Sequence, residues 1–199
     1  MVSAMTEALM DRRAAVAKLL AARDGALVVT GLGSPSYDVH AHADTDDNYY
    51  LWGAMGGAAL VGLGLAQAQR QRRVMVITGD GEQLMAMGSL ATIAVARPTN
   101  LDVIVLDNQH YGETGMQASH TAAGIDLAAV AAACGFADTG RVQTLDEVDA
   151  LCGRLQQKAA GPRLFVLKIR ADNLPRSLPP RDAVFIKNRF RAHLGLKTC

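Results

Sequence analysis

Apolar and polar positions follow one another in blocks along this chain, with short apolar runs separated by longer segments of helical periodicity. The apolar runs cover residues 26–30, 74–78, 101–106 and 163–169, beside a more polar segment, residues 137–143, that also fits a strand. Their length and their content of valine, isoleucine and leucine predict strands that are buried on both faces. The helical segments cover residues 6–22, 56–69, 83–96, 125–134, 144–157 and 182–193. This alternation predicts an α/β fold, a doubly wound and mostly parallel sheet of about five or six strands with helices on both faces.

The composition is typical of one domain with a sizeable core. The chain has 199 residues, half of them are hydrophobic and the formal net charge is only +1, which argues against nucleic acid as a partner. We expect residues 1–174 to form an α/β domain and residues 175–199, which contain several prolines, to form a tail with a terminal helix that docks. No apolar run is long enough to cross a membrane, and the first residues lack the apolar block of a signal peptide.

The cysteines give no sign of a metal site. Cys134, Cys152 and Cys199 share no spacing that is typical of metal ligands, and their number is odd. Unpaired thiols are typical of a reducing compartment. Together with the lack of a signal peptide, they predict a cytoplasmic protein.

One predicted strand leads directly into a glycine-flanked acid. The run 74–78 is followed by Gly79, Asp80, Gly81 and Glu82, and then by a segment of helical period. A strand, a glycine turn and a helix N-terminus together favour a phosphate site, because free amide groups and the positive end of the helix dipole face one point. Asp80 would hold a divalent cation against that phosphate. A plain turn in which Asp80 caps the helix is an equally good interpretation of this stretch alone.

A second polar pair follows the next predicted strand. Residues 101–106 are followed by Asp107 and Asn108, and one helix and one strand separate this pair from Asp80. A right-handed crossover places the carboxyl ends of both strands at the same sheet edge. Asp80 and Asn108 would then offer oxygen ligands at neighbouring strand tips, and Mg²⁺ accepts such ligands together with phosphate oxygens.

These two spaced motifs resemble the thiamine-diphosphate-binding motif. The resemblance implies that Mg²⁺ is bound by the side chains of Asp80 and Asn108 and by the main-chain carbonyl of His110. It further implies that thiamine diphosphate contacts residues around both motifs, namely Gly79, Gly81, Glu82, Asn108, Tyr111 and Gly112. Asp107 stands where many relatives have asparagine, at a position that is not a ligand.

The segment from Trp52 to Ala58 resembles a second element of the same family. There a glycine carbonyl receives the 4′-amino group of the cofactor, and a bulky apolar side chain two residues later supports the cofactor in its bent form. The matching residues are Gly53 and Met55. In the family the loop after the first strand touches the diphosphate, which makes Gly33 and Ser34 candidates, although an ordinary turn is as good an interpretation there.

Two polar stretches are candidates for contact with substrate. The loop after Asn108 starts at the inferred metal site, and we take Glu113 and His120 from it as catalytic candidates beside Met55, although polar side chains are common in any loop. His40 and His42 lie among several aspartates. For that pair a solvated loop is favoured over a metal cluster, because no further ligand spacing accompanies it.

The resemblance also implies that part of the active site lies elsewhere. In the family a glutamate on a similar pyrimidine-binding domain activates the cofactor, and this chain has room for one such domain only. We therefore expect a pyrimidine-binding alpha subunit as partner, in a hetero-oligomer with at least two copies of each subunit. The motifs resemble those of thiamine-diphosphate-dependent 2-oxo acid decarboxylases of the sulfopyruvate and phosphonopyruvate type, so a small 2-oxo acid is the expected substrate.

Two residues depart from the pattern of those decarboxylases. Glu82 stands where they usually have serine, and a carboxylate beside a diphosphate is unfavourable unless it points away or faces the metal. Glu113 replaces a small residue and would disfavour a substrate with a dianionic head group. A carboligase, a subunit of a 2-oxo acid oxidoreductase, and a regulatory or scaffolding subunit without catalysis stay open. A generic nucleotide-binding protein is disfavoured, because neither a Gly-x-Gly-x-x-Gly nor a P-loop lysine motif follows a strand.

Overall fold

A computed structural model of the chain describes residues 9–198 as alternating helices and strands. The helices are α1 (Arg12–Ala21), α2 (Ser34–His42), α3 (Ala58–Ala68), α4 (Asp80–Met85), α5 (Ser89–Ala96), α6 (Leu127–Cys134), α7 (Leu145–Leu155) and α8 (Ala183–His193). The strands are β1 (Leu27–Thr30), β2 (Asn48–Tyr50), β3 (Val74–Gly79), β4 (Leu101–Asp107), β5 (His110–Tyr111), β6 (Gln117–Ala118), β7 (Asp138–Val142) and β8 (Arg163–Lys168). Within the described residues, no helix has the length and apolar composition needed to cross a membrane.

Six of the strands form one sheet in the order β2-β1-β3-β4-β8-β7. Every neighbouring pair in it is parallel. The predicted α/β fold with a parallel sheet of about six strands is therefore confirmed. Strands β3 and β4 lie side by side at its centre with Gly79 opposite Leu106, so the residues that follow these two strands emerge at the same edge of the sheet.

Both faces of the sheet are covered, which explains the unbroken apolar runs. In β1, Leu27 and Val29 belong to a buried cluster that also contains residues of α3, α5 and α6. Val28, between them, belongs to the opposite cluster, with residues of α1 and α7. Successive side chains of a strand point to opposite faces, so a strand buried on both sides has no polar face to alternate with.

Three local predictions were wrong. Residues 34–42 form helix α2 and not a solvated loop, and Ser36 and Asp38 are buried on it. The segment 83–96 is split into α4 and α5 by turns at residues 86–88. The first helix begins at Arg12, with Asp11 as its N-cap, and the predicted start at residues 6–8 lies outside the described part of the chain.

The caps of the later helices follow the prediction. The side chain of Asp126 accepts a hydrogen bond from the main chain of Ala128 at the start of α6, and Gly135 ends that helix in a left-handed conformation. Thr144 and Glu147 form a capping box at the start of α7. These signals are local, so the sequence alone identifies them.

The segment after β8, residues 170–182, is called the tail segment below. It is attached to the rest of the protein through its main-chain carbonyls: Arg12 donates to Asp172, Arg13 donates to Pro175 and the indole of Trp52 donates to Pro180. Helix α8 follows and buries Ile186 and Phe190, one in each of the two cores. The tail segment therefore lies close to the carboxyl edge of the sheet, where α1 begins and β2 ends.

Candidate active site

A cleft opens at the carboxyl edge of the sheet, above β3 and β4. Its empty volume is about 670 Å³, part of it open to solvent. The sequence-predicted residues that line it are Ser34, Met55, Gly79, Asp80, Gly81, Glu82, Asn108, His110, Tyr111, Gly112 and Glu113. The predicted residues outside this lining are Gly33, Gly53 and His120. The topology thus gathers segments that are far apart in sequence around one cavity.

Asp80 is the most deeply buried acid of the cleft, with 2% of its surface exposed. Its carboxylate accepts hydrogen bonds from the hydroxyls of Ser119, at 2.5 Å, and Thr121, at 3.1 Å. Burial raises the pKa of Asp80, and these hydroxyls act in the opposite direction. Within residues 9–198 no lysine, arginine or histidine forms an ion pair with it. A buried carboxylate that lacks a cationic partner fits a site for a bound cation.

Asn108 and His110 line the same cleft as Asp80. The side-chain oxygen of Asn108 accepts a hydrogen bond from the main chain of His110 at 2.9 Å, and the imidazole Nδ1 of His110 donates to the carbonyl of Asn108 at 2.8 Å. This reciprocal pair fixes the turn that carries both residues. A carboxylate, an amide oxygen and a main-chain carbonyl form an all-oxygen donor set of the kind that Mg²⁺ prefers.

The described residues hold no group of three or more histidine, cysteine, aspartate and glutamate side chains suited to a metal. The donor set proposed above needs only one such side chain, Asp80. His40 and His42 lie at the end of α2, outside the lining of the cleft, and His40 Nδ1 lies 2.8 Å from the hydroxyl of Ser177 on the tail segment. His40 therefore contacts the tail segment and not the cleft.

Asp107, the unusual first member of the polar pair, has its own cationic partner. Its carboxylate lies 2.6 Å from the Lys168 ammonium and also accepts a hydrogen bond from the Thr121 hydroxyl at 2.8 Å. The Thr121 hydroxyl also lies 3.1 Å from Asp80, so one hydroxyl, with a single proton that it can donate to either carboxylate, lies between the two acids. Asp107 is thus part of the support of the site, and Lys168 neutralises it.

Sequence reasoning missed Ser119 and Thr121. Both are buried polar residues in a loop that otherwise looks like an ordinary polar connection. The only local signal is that hydroxyl residues flank His120, which gives no reason to place them beside Asp80. Their position depends on the short hairpin of β5 and β6, in which His110 pairs with Ala118 and turns the loop back over the strand ends.

We expect the double variant Ser119→Ala with Thr121→Val to bind the thiamine diphosphate and Mg²⁺ that the sequence resemblance implies about 10- to 100-fold more weakly than the unmodified chain, because partners that orient a metal ligand typically contribute that much. Isothermal titration calorimetry of the protein with thiamine diphosphate in Mg²⁺ measures the affinity. Thr99→Val, an exposed threonine in the turn before β4, serves as the control. Equal affinities of the double variant and the control would contradict an orienting role for the two hydroxyls.

Glu82 is buried with 5% of its surface exposed, although it lines the cleft. One carboxylate oxygen accepts a hydrogen bond from the main-chain N–H of Leu32 at 3.0 Å, and the other accepts one from Gly56 at 3.3 Å. Burial raises the pKa of Glu82, while hydrogen bonds from the Thr78 hydroxyl and from the main chain of Ala58, Leu32 and Gly56 act in the opposite direction. The carboxylate is therefore bound by the protein's own main chain.

Glu113 reaches the cleft together with a cation from the tail segment. Its carboxylate lies 3.1 Å from the guanidinium of Arg176, and both side chains are partly exposed. A Cβ atom at Gly33, where φ is +79°, would lie 2.9 Å from the Glu113 side chain. Gly33 therefore gives Glu113 room beside the loop after β1. The added negative charge that the sequence suggested at this point is paired with a positive one.

The remaining catalytic candidates are placed differently. Met55 lines the cleft with 42% of its surface exposed. The exposed His120 lies outside the lining, with Nδ1 at 3.3 Å from the Tyr111 hydroxyl. Gly53, two residues before Met55, has a φ of +71° and is exposed. The structure thus brings Met55 to the cleft, and His120 reaches it only through the Tyr111 side chain.

A buried arginine that sequence reasoning passed over also lines the cleft. Arg12, with 3% of its surface exposed, contacts the buried carboxylate of Asp38 at 2.7 Å and the carbonyl of Asp172 at 2.9 Å. It lies in the first turn of α1, where a positive charge opposes the helix dipole. That unfavourable position is the sequence signal that could have marked Arg12 as a residue held there by tertiary contacts.

The comparison with protein families agrees with this site. The family model described as thiamine pyrophosphate enzyme, C-terminal TPP binding domain, matches residues 31–167. The chain therefore belongs to this family of thiamine-pyrophosphate-binding domains. The matched residues include the strand ends that carry Asp80 and Asn108.

Two relatives with curated names are similar to this chain over most of its length. The chain is 42% identical over 185 residues to a phosphonopyruvate decarboxylase of Streptomyces viridochromogenes, a match that covers 91% of this chain and 45% of that protein. It is 36% identical over 167 residues to sulfopyruvate decarboxylase subunit beta of Methanococcus maripaludis, covering 82% of this chain and 86% of that subunit. The chain thus spans less than half the length of the first relative and most of the second.

Solved structures show the same fold. The benzoylformate decarboxylase of Polynucleobacter necessarius superimposes with a TM-score of 0.70 at 21% sequence identity, over 87% of this chain and 35% of that one. At this identity the match supports the architecture alone. It agrees with the α/β architecture described above.

Proposed function

We propose that the chain is the thiamine-diphosphate- and Mg²⁺-binding subunit of a two-component 2-oxo acid decarboxylase, similar to sulfopyruvate and phosphonopyruvate decarboxylases. The observation that carries this proposal is the buried carboxylate of Asp80, which lacks a cationic partner within the described residues and lies in one cleft with Asn108 and His110. Family membership supports the cofactor, and the names of the relatives support the reaction class.

Different residues of the cleft would bind different parts of the cofactor. Asp80, Asn108 and the carbonyl of His110 would hold Mg²⁺, and the loop that carries Ser34 would lie beside the diphosphate. Met55, which also lines the cleft, would support the ring system. When bound, thiamine diphosphate supplies the carbon nucleophile and the electron sink that decarboxylation of a 2-oxo acid requires.

Arg176 and Glu113 lie where an anionic substrate group could be recognised. In the structure they form an ion pair at 3.1 Å at the margin of the cleft. Exposed ion pairs contribute little to stability, so Arg176 can exchange Glu113 for another anion at small cost. This arrangement supports a 2-oxo acid with a negatively charged head group, in spite of the acid at position 113.

A separate pyrimidine-binding subunit would complete the site. Methanococcus maripaludis sulfopyruvate decarboxylase subunit beta, whose name denotes one subunit of a complex, is largely covered by this chain. Beside the cleft, Met55 and Met85 are exposed, and the segments that carry them touch, since a Cβ atom at Gly56 would lie 3.7 Å from the Met85 side chain. Flexible apolar side chains at the mouth of a cofactor site are suited to contact with a partner.

The test is a calorimetric titration of the purified two-subunit complex with thiamine diphosphate, once in Mg²⁺ and once in excess chelator. We expect saturable binding in Mg²⁺ and a large loss of affinity in the chelator, because the metal links the diphosphate to the protein. A panel of 2-oxo acids assayed for CO₂ release then identifies the substrate class. Absence of Mg²⁺-dependent cofactor binding by the complex would refute the proposal.

A further inference from the structure

Glu82 joins three parts of the chain that surround the cleft. It lies in the first turn of α4, two residues after Asp80, and its two oxygen atoms point at different loops. Oε2 accepts from Leu32 in the loop between β1 and α2, and Oε1 accepts from Gly56 in the loop before α3. A single side chain therefore connects α4 to both loops through hydrogen bonds to their main chains.

The space around this carboxylate is shaped to hold it. A Cβ atom at Gly31 would lie 1.8 Å from Glu82 Oε2 and 2.8 Å from the Thr78 hydroxyl. Any other residue at position 31 would therefore displace the carboxylate from its donors. The fit requires glycine at one position and glutamate at another, 51 residues away along the chain, which is more than an accidental surface contact would require.

Each of the two loops carries residues that the proposed function assigns to the cofactor. Leu32 is next to Gly33 and Ser34, on the diphosphate side, and Gly56 is next to Met55, on the side of the ring system. A shift of either loop would move these groups relative to Asp80. Binding sites gain affinity when their parts are held in place before the ligand arrives, because less order is lost on binding.

We propose that Glu82 is a positioning residue. Its hydrogen bonds to Leu32 and Gly56 connect the loops that carry these two residues to the start of α4, a connection called the tie below, and keep the cofactor site formed in the free protein. The proposal rests on the proposed function for the identity of the ligand, whereas the tie itself is a property of the free chain. It also explains how a carboxylate is tolerated near a diphosphate: both of its oxygen atoms are occupied by main-chain N–H groups.

A purely electrostatic view of Glu82 makes the opposite prediction. If its negative charge mainly repelled the diphosphate, Glu82→Gln would bind thiamine diphosphate more tightly than the unmodified chain. If Glu82 is a tie, the same substitution weakens binding, because the glutamine amide turns an N–H group toward a main-chain N–H donor and leaves that donor unpaired. The sign of the change in affinity therefore separates the two views.

The experiment has two arms and two variants, Glu82→Gln and Glu82→Asp. In the first arm, amide hydrogen exchange of the cofactor-free full chain is followed by NMR at Leu32 and Gly56, with Val148 in α7 as the internal reference. We expect exchange at one or both of the loop amides to become at least about 10-fold faster in each variant, since neither side chain can satisfy both donors, and to stay the same at Val148.

The second arm measures thiamine diphosphate affinity of the complex in Mg²⁺ by calorimetry, and we expect both variants to bind about 10-fold more weakly. Glu82→Asp keeps the charge and stays informative if Glu82→Gln does not fold. Unchanged loop exchange, or tighter binding by Glu82→Gln, would overturn the tie. Failure of the unmodified complex to bind the cofactor would refute the proposed function and leave the exchange arm as the test of the tie.

Discussion

Replacing Asp80 by asparagine is expected to lower the affinity of the complex for thiamine diphosphate in Mg²⁺ by at least about 100-fold, since loss of a partner of a metal ligand alone costs about 10- to 100-fold. Asparagine has nearly the same shape and can still accept from Ser119 and Thr121. The substitution removes the negative charge that would hold the cation. Calorimetry of the complex measures the affinity, and CO₂ release from the preferred 2-oxo acid should fall with it.

The same substitution should leave the cofactor-free chain as stable as before or more stable. A buried carboxylate without a cationic partner within the described residues destabilises the folded state, and a neutral amide in its place relieves this. Urea unfolding of the free chain gives the comparison. Asp24→Asn serves as the control, since Asp24 is exposed in the turn before β1, and asparagine tolerates its positive φ of 46°. If Asp80→Asn bound the cofactor as tightly as this control, Asp80 would not be a metal ligand.

Replacing Arg163 by alanine is expected to lower the free energy of unfolding by about 3–5 kcal/mol, because it leaves the buried carboxylate of Asp102 without its closest cationic partner and only Arg73, 3.8 Å away, beside it. Arg163 and Asp102 stand opposite each other at the start of β8 and β4, and their side chains lie 2.6 Å apart with almost no exposure. The guanidinium also donates to three carbonyls at the end of α7, those of Arg154, Leu155 and Gln157. The substitution thus leaves an acid and a helix end without their donors.

The loss of stability in Arg163→Ala should depend on pH. Burial already raises the pKa of Asp102, against the effect of Arg163, and removal of Arg163 raises it further. Between the ordinary pKa of an aspartate, about 3.9, and the raised value, the folded state binds more protons than the unfolded state, so stability falls as pH rises through that window. Measured by urea unfolding, the deficit should therefore be largest at pH 8 and smaller at pH 5.

Lys18→Ala is the control for this prediction. Lys18 pairs with Asp149 at 2.7 Å on the surface, and removal of such an exposed pair should change the free energy of unfolding by less than about 1 kcal/mol. The double variant Asp102→Leu with Arg163→Leu should be more stable than Arg163→Ala, because the buried carboxylate is removed together with its closest cationic partner. A deficit of Arg163→Ala equal to that of Lys18→Ala would contradict the importance of the buried pair.

The central strands and the later helices could be predicted because their signals are local. A strand such as β4, buried on both faces, needs an apolar side chain at almost every position, and capping residues such as Thr144 and Glu147 act within one helical turn. The two strand tips with Asp80 and Asn108 followed from the same reasoning, since parallel strands joined by a right-handed crossover end at one edge. These inferences needed no knowledge of distant contacts.

Other elements could not be predicted because distant contacts determine them. Helix α2 contains glycine-flanked, polar and histidine-rich sequence that is typical of a loop, yet Asp38 on it is buried against the guanidinium of Arg12. Strand β2 has only three residues and exists because its neighbour β1 offers a free edge. In such short or polar segments the tertiary environment outweighs intrinsic propensity.

The sequence by itself determined the parallel α/β architecture, the strand tips that carry Asp80 and Asn108, and the likeness to thiamine-diphosphate-binding proteins. Periodicity, helix caps and the spacing of motifs follow directly from the order of the residues. Only the tertiary structure decided in which direction the charged side chains of the site point and which groups they contact. It turned the carboxylate of Glu82 to the main chain of two loops, paired Glu113 with Arg176 and placed two hydroxyls on Asp80. The direction of a side chain depends on residues far away in sequence, and folding alone brings those residues together.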